Sequence, residues 1–179
     1  MGGLLKVDVS PLLGEAGATL EVDTEVPLEA MTVGDSHVKF EEPPRLRVIL
    51  ANAGEVIVAS GTVQAAARLD CTRCLEPFDL DLVGTVDAVI SPTEDPELID
   101  EDQEWYPLEG DAVDLFAAAD AALRVEVPFA PVHDEACLGI CPICGCDRNR
   151  DTCACRQEPD TASENPFAVL KDLVPPTED

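Results

Sequence analysis

Eight cysteines and two histidines are the residues of this 179-residue chain best equipped for chemistry. The cysteines are Cys71, Cys74, Cys137, Cys141, Cys144, Cys146, Cys153 and Cys155. Cys141-Pro142-Ile143-Cys144-Gly145 has the form of a metal knuckle. Its proline and glycine shape a tight turn, so that two thiolates and nearby backbone N–H groups converge on one ion. Cys153-Ala154-Cys155 supplies the other half, giving C-x2-C-x8-C-x-C, a four-cysteine zinc site with each sulfur about 2.3 Å from the ion. The loop between the pairs, Gly145 to Thr152, is too short and polar to own a core, so a metal would have to hold it.

Cys71 and Cys74 need partners too. Cys137 is the third ligand and His133, four residues earlier, the fourth, because H-x3-C spacing brings both side chains to one metal. That closure spans about 60 residues and would fasten the tail onto the preceding domain. Eight Cys and one His give nine ligands, and two tetrahedral sites use eight. Cys146 is the expected spare, with its exchange for Cys153 or Cys155 left open. His37, far from any cysteine, reads as a surface residue.

Other chemistry is thin. The chain has no Gly-rich phosphate loop, no G-x-S-x-G and no H-E-x-x-H. Cys71 and Cys74 would also suit a thiol–disulfide oxidoreductase, but thioredoxin-like pairs start a helix, whereas this pair falls between two strands. A metal-delivery role is the other alternative, suggested by ligand density and the spare Cys146. If Cys and His fill both shells, neither ion keeps the open position that catalysis needs, so the expectation is a structural site and no enzyme.

The elements that must position these ligands are mostly strands. Leu4–Val9 and Leu20–Val26 are short and half-alternating. Arg45–Ala51 and Glu55–Leu69 flank the turn Asn52-Ala53-Gly54. Phe78, Leu80, Leu82, Val86, Ala88 and Ile90 share one face of a further strand, with Asp79, Asp81, Thr85 and Asp87 on the other. The first cysteine pair therefore sits at a hairpin end. Residues 91–104 hold seven acids, two prolines and no base, which reads as a solvated loop. Asp111 offers an N-cap to an amphipathic helix near 112–124 carrying Leu115, Phe116, Ala119, Ala122 and Leu123, stopped by Pro128. Residues 125–133 read as extended. Asn165-Pro166 starts a short C-terminal helix through Phe167, Leu170 and Leu173. The expected fold is α+β and mostly β, an antiparallel sheet or partial barrel with one or two packed helices and a small zinc-knuckle tail. The expected division is a β-rich domain at 1–130, a metal-binding segment at 131–157, and a linker and helix at 158–179.

Charge limits the partners. With 37 acidic and 11 basic residues the net charge is −26, which opposes DNA binding and anionic membrane surfaces. Basic proteins and metal ions fit better. The N-terminus lacks the basic and apolar regions of a signal peptide, and no apolar run is long enough to span a membrane. The expected location is the cytoplasm, where the thiols stay reduced.

Four motifs in order, C-T-R-C-L-E-P-F at 71–78, V-P-F-A-P-V-H-D-E-A-C at 127–137, G-I-C-P-I-C-G at 139–145 and N-P-F-A-V-L-K-D-L at 165–173, carry a resemblance. The chain resembles, over roughly residues 45–173, the bacterial YceD family, also called large ribosomal RNA subunit accumulation protein. The resemblance implies a non-enzymatic role in synthesis, processing or stability of 23S ribosomal RNA and a β-rich domain with few helices. Cys71, Cys74, His133 and Cys137 match the family's motifs, and Cys141, Cys144, Cys153 and Cys155 match a knuckle found in part of the family. Cys146 has no counterpart. Arg73, Arg148, Arg150 and Arg156 lie in or beside the knuckles and are candidates for phosphate or partner contact, or for pairing with Asp147 and Asp151. Because the rest of the chain is so acidic, a basic ribosomal protein or an RNA-processing factor is the expected partner in preference to RNA itself.

Overall fold

Period-2 burial runs along the longer strands, Thr19–Glu25, Arg45–Asn52 and much of Ile57–Asp70 and Pro77–Ser91, and sets them. The structure, a computed structural model, describes residues 4–92 and 103–155. Most of the acidic stretch at 91–104, Arg156 and the expected C-terminal helix lie outside the described residues. In chain order the strands begin with β1 (Lys6–Asp8), β2 (Thr19–Glu25), β3 (Ala30–Val33) and β4 (Ser36–Phe40). Then come β5 (Arg45–Asn52), β6 (Ile57–Asp70), β7 (Pro77–Ser91), β8 (Glu104–Glu109) and β9 (Ala112–Asp114), followed by helix α1 (Phe116–Glu126).

The long β6–β7 hairpin is the frame, paired without a break from Ile57↔Ile90 to Asp70↔Pro77. Because β7 fills one edge of β6 along its whole length, β5 and β4 must share the other. β5 pairs from Asn52↔Ile57 to Arg45↔Gln64, and β4 pairs at Lys39↔Arg68 and Phe40↔Ala67. The sheet forks between them, β2 extending the β5 arm and β3 the β4 arm. On the far side the order runs β7-β8-β9-β1. The result is the expected mostly-β fold, a curled, largely antiparallel sheet in the manner of a half-barrel, with one substantial helix. The parallel β7–β8 pair is the exception, and the chain between Ser91 and Glu104 has the length such a crossover needs.

The concave face carries the core. Leu46, Val48 and Leu50 of β5, Val63, Ala67 and Leu69 of β6, and Leu82, Val86 and Ala88 of β7 are buried together. Each large aliphatic among them contributes about 1.5–3 kcal/mol by leaving water. Asn52, the one buried amide there, is satisfied: it donates to the Leu12 carbonyl at 2.6 Å and accepts from Gly54 N–H at 2.7 Å.

The helix starts later than the sequence suggests. Residues 112–114 form β9 and pair with β1 as Val7↔Val113, and α1 runs from Phe116 to Glu126, with Leu115 at the cap position. Asp111 therefore does not cap it. The Asp111 carbonyl instead accepts from Val9 N–H at 2.7 Å, and the Asp114 carboxylate accepts from Phe116 N–H at 3.0 Å and Leu5 N–H at 2.8 Å. Burying Val113 in the sheet outweighs a local capping signal. Val125 and Glu126 likewise belong to the helix, not to the extended run. The chain leaves it at Val127, immediately before Pro128.

α1 buries Ala118, Ala119 and Leu123, and Gly84 of β7 admits it closely. A Cβ at Gly84 would stand 2.5 Å from the Ala122 carbonyl oxygen. We expect Gly84→Ala to push the helix off the strand and cost about 1–3 kcal/mol in urea unfolding. Val83→Ala, on the exposed face next to it, should stay within about 0.5 kcal/mol of the parent. An unchanged midpoint for Gly84→Ala would mean the helix does not depend on this approach.

Candidate metal centres

All strands and α1 lie in a first compact unit, Met1–Cys137, and a second unit begins at Leu138. Each holds one cluster of sulfurs.

In the first unit, the six residues between β6 and β7 fold as a knuckle. Cys71 N–H donates to the Glu76 carbonyl at 2.8 Å, and Leu75 N–H donates to the Cys71 carbonyl at 2.8 Å. The reversal needs a left-handed residue, and Leu75 fills that place with φ of 61°, the only non-glycine with positive φ among the described residues. The loop then draws in the segment after α1. Thr72 donates to the Pro131 carbonyl through its N–H at 2.9 Å and its hydroxyl at 3.0 Å. The Arg73 guanidinium donates to the carbonyls of Glu135 at 2.9 Å and Cys137 at 3.1 Å. This brings Cys71 Sγ to 3.9 Å from Cys137 Sγ, and His133 Nδ1 to 3.4 Å from Cys74 Sγ. The donor atoms of Cys71, Cys74, His133 and Cys137 all lie within 4.8 Å of one another.

The second unit repeats the knuckle on a different sequence. Cys141 N–H donates to the Cys146 carbonyl at 2.8 Å and Gly145 N–H to the Cys141 carbonyl at 2.9 Å, with Gly145 at φ of 73°. A bridge between Ile140 and Asp147 closes the turn. Asp147 also caps the next turn, accepting from the Asn149 backbone at 2.9 Å and side chain at 2.8 Å. Cys153 Sγ returns to 3.3 Å from Cys141 Sγ and 3.7 Å from Cys144 Sγ. The mutually close quartet here is Cys141, Cys144, Cys146 and Cys153.

Both clusters have the dimensions of a tetrahedral site. Ligands about 2.3 Å from a common ion, the zinc–sulfur distance, stand about 3.8 Å apart. The sulfur–sulfur separations of 3.3, 3.7 and 3.9 Å bracket that value. Neutral thiols gain little by such crowding, and the spacing is compatible with chelation of one ion. Electrostatics agree. Burial works against ionising Cys71, but hydrogen bonds from the His133 ring and from the N–H groups of His133, Cys74 and Arg73 prevail and bring its thiol down to about 6. Backbone N–H groups of Cys144 and Ile143 bring Cys141 to about 6 as well. The hydrogen bond to Cys71 raises the pKa of His133 in turn. Burial and the neighbouring sulfurs push Cys74 up to about 11, and adjoining thiols hold Cys146 and Cys155 up to about 12. Such packed thiols cannot all ionise unless a cation arrives.

His133, expected as the fourth ligand from its H-x3-C spacing, stands inside the first cluster. Cys146, expected to be spare, stands inside the second quartet in the place given to Cys155, because the knuckle turn folds it back beside Cys144. Cys155 faces Cys144 and Cys153 from outside that quartet. Of the arginines, Arg73 donates through Nη1 to two carbonyls, a clasp that no local pattern reveals because its acceptors lie more than sixty residues away. Arg150 pairs with Asp147 at 3.7 Å. His37 is exposed and shares a 3.3 Å hydrogen bond with Thr32.

Leu75 is exposed, so its left-handed backbone is a cost with little side-chain return. We expect Leu75→Gly to keep the first cluster intact and to raise stability by about 0.5–1 kcal/mol, since left-handed geometry costs an L-residue about 1–2 kcal/mol. Leu75→Val should lower it. Both are read from chemical denaturation of the metal-loaded chain, and a Leu75→Gly variant less stable than the parent would show that the side chain is packed.

The family described as large ribosomal RNA subunit accumulation protein YceD matches this chain over residues 59–174, a stretch that contains every cysteine and His133. An uncharacterized protein of Mycobacterium leprae is 28% identical over 142 residues, covering 77% of this chain and 64% of its own length. One from Mycobacterium tuberculosis H37Rv is 27% identical over 144 residues, covering 79% of this chain and 69% of its own. The large ribosomal RNA subunit accumulation protein YCED homolog 1, chloroplastic, of Arabidopsis thaliana is 21% identical over 157 residues, 73% of this chain and 49% of its own. The chain thus spans between half and about two-thirds of the length of these relatives. No solved structure matches it significantly. Matched through the β6–β7 hairpin, the helix and both cysteine clusters, the chain belongs to the YceD family.

Proposed function

We propose that this protein is a zinc-fastened accessory factor, not an enzyme, that supports accumulation of 23S ribosomal RNA in large-subunit assembly by holding a basic protein partner. The observation that carries the reading is the family match across residues 59–174. The site chemistry supports it. Three thiolates and one imidazole suit zinc and fill a tetrahedral shell, leaving no open position for substrate. Thiol–disulfide exchange at Cys71 and Cys74 is disfavoured, since their residues are 0% and 6% exposed and an attacking sulfur needs access.

Charge favours a protein over RNA as the direct partner. The chain carries −26, and phosphate binding draws on free Lys and Arg. Arg73 and Arg150 are engaged within the fold. A Lys- and Arg-rich ribosomal protein, or a basic processing factor, would be attracted where RNA is repelled. The reading places the protein in a reducing cytoplasm, where its thiols remain ligands. Among the described residues, no helix is long and apolar enough to cross a membrane.

Two measurements test this. Depleting the protein in cells should lower the ratio of 23S to 16S ribosomal RNA, and an unchanged ratio would remove the ribosomal role. Protein purified without chelator should carry about two zinc ions, with most of its thiols unreactive until EDTA is added. Metal-free protein with freely reactive thiols would remove the structural account and put Cys71 and Cys74 chemistry first.

A further inference from the structure

The two clusters differ in donor supply. The first offers three sulfurs and one ring nitrogen, four donors for four positions. The second offers five sulfurs: Cys141, Cys144, Cys146 and Cys153 form the close quartet, and Cys155 follows Cys153 by two residues. Two independent observations assign the fourth position to different residues. Separation assigns it to Cys146. Correspondence of the knuckles points the other way. Cys146 occupies the place of Glu76, the residue whose carbonyl closes the turn in the first knuckle. The side chain there supplies no ligand, and both outstanding ligands come from a distant segment. By that correspondence Cys153 and Cys155 would complete the second site.

Exposure separates the clusters as well. Every cysteine of the first cluster, Cys71, Cys74 and Cys137, is buried, whereas in the second only Cys141 is: Cys144 is exposed and Cys146, Cys153 and Cys155 are partly so. Residues 138–155 hold no strand or helix, only the Ile140–Asp147 bridge and its turns.

We propose that the second cluster is an exchange site, in which Cys146 and Cys155 are alternative fourth ligands to one zinc ion held by Cys141, Cys144 and Cys153. In the exchange the entering thiol gives its proton to solvent as its zinc–sulfur bond forms, the other zinc–sulfur bond breaks, and the displaced thiolate takes a proton from solvent, with no change of oxidation state. A thiolate from another molecule enters by the same route, so this is the ion that leaves, and the first cluster keeps its own. The inference rests on the zinc-binding part of the proposed function and not on its ribosomal part.

The test uses the full zinc-loaded chain. Limited alkylation with iodoacetamide, mapped by mass spectrometry, should place about one label per chain, shared between Cys146 and Cys155. After cobalt substitution, the sulfur-to-metal charge-transfer band should persist at full four-sulfur intensity in Cys146→Ser and in Cys155→Ser, and fall in the double variant. A chromogenic chelator should take the second ion first, exposing Cys141 and Cys144 to label while Cys71 and Cys74 stay protected. Label confined to one cysteine, loss of intensity in one single variant alone, or first loss from Cys71 and Cys74 would each overturn the proposal. Metal analysis separates these outcomes from failure of the underlying reading, which would show as a chain without zinc.

Discussion

Cys74 and His133 are 59 residues apart in sequence, and their donor atoms meet at 3.4 Å. Holding them there closes a loop that contains the whole of β7, β8, β9 and α1, at an entropic cost that grows only slowly with its length. What makes the meeting productive is that most of the ordering is done by other forces. The β6–β7 ladder fixes the hairpin end, α1 returns the chain across the sheet, and Thr72 and Arg73 seize three carbonyls of the arriving segment. An ion bound there would add its ligand bonds to an arrangement already built.

The two knuckles show how little of such a site depends on side chains. One reads C-T-R-C-L-E and the other C-P-I-C-G-C, yet both close through the same two backbone hydrogen bonds and the same left-handed fifth residue. Glycine takes that conformation freely, whereas Leu75 is held in it by the strands on either side. The first knuckle borrows its rigidity from a long hairpin and a core. The second has turns, an Asp147 cap and sulfurs, and in such a segment metal binding and folding would be one event.

Acidity is arranged so that the sheet tolerates it. Asp79, Asp81 and Asp87 alternate with Leu80, Leu82 and Val86 along β7, so their carboxylates face water on the outer side. Arg45 and Arg47 flank Asp23 there, and Arg68 meets Asp79. These exposed pairs add little stability each. The uncompensated remainder gives a field that favours cationic partners and opposes compaction, which raises the importance of the core and of the metal ligands.

The sequence by itself determined the period-2 strands, the hairpin end at Cys71 and Cys74, the knuckle at Cys141 to Gly145, and the nine donors from which two sites are drawn. These are local properties: alternation, turn chemistry and ligand spacing act over a few residues. It also carried the family, through four separated motifs. Tertiary structure alone decided that residues 112–114 become a strand, because burying Val113 beside Val7 exceeds a cap at Asp111. It decided that β6 is shared by β4 and β5, since that depends on which edge β7 leaves open. It gave Arg73 a clasp on two distant carbonyls, and it brought Cys146 into the second quartet in the place given to Cys155. Each of these outcomes rests on distances across the fold, and a one-dimensional pattern does not contain them.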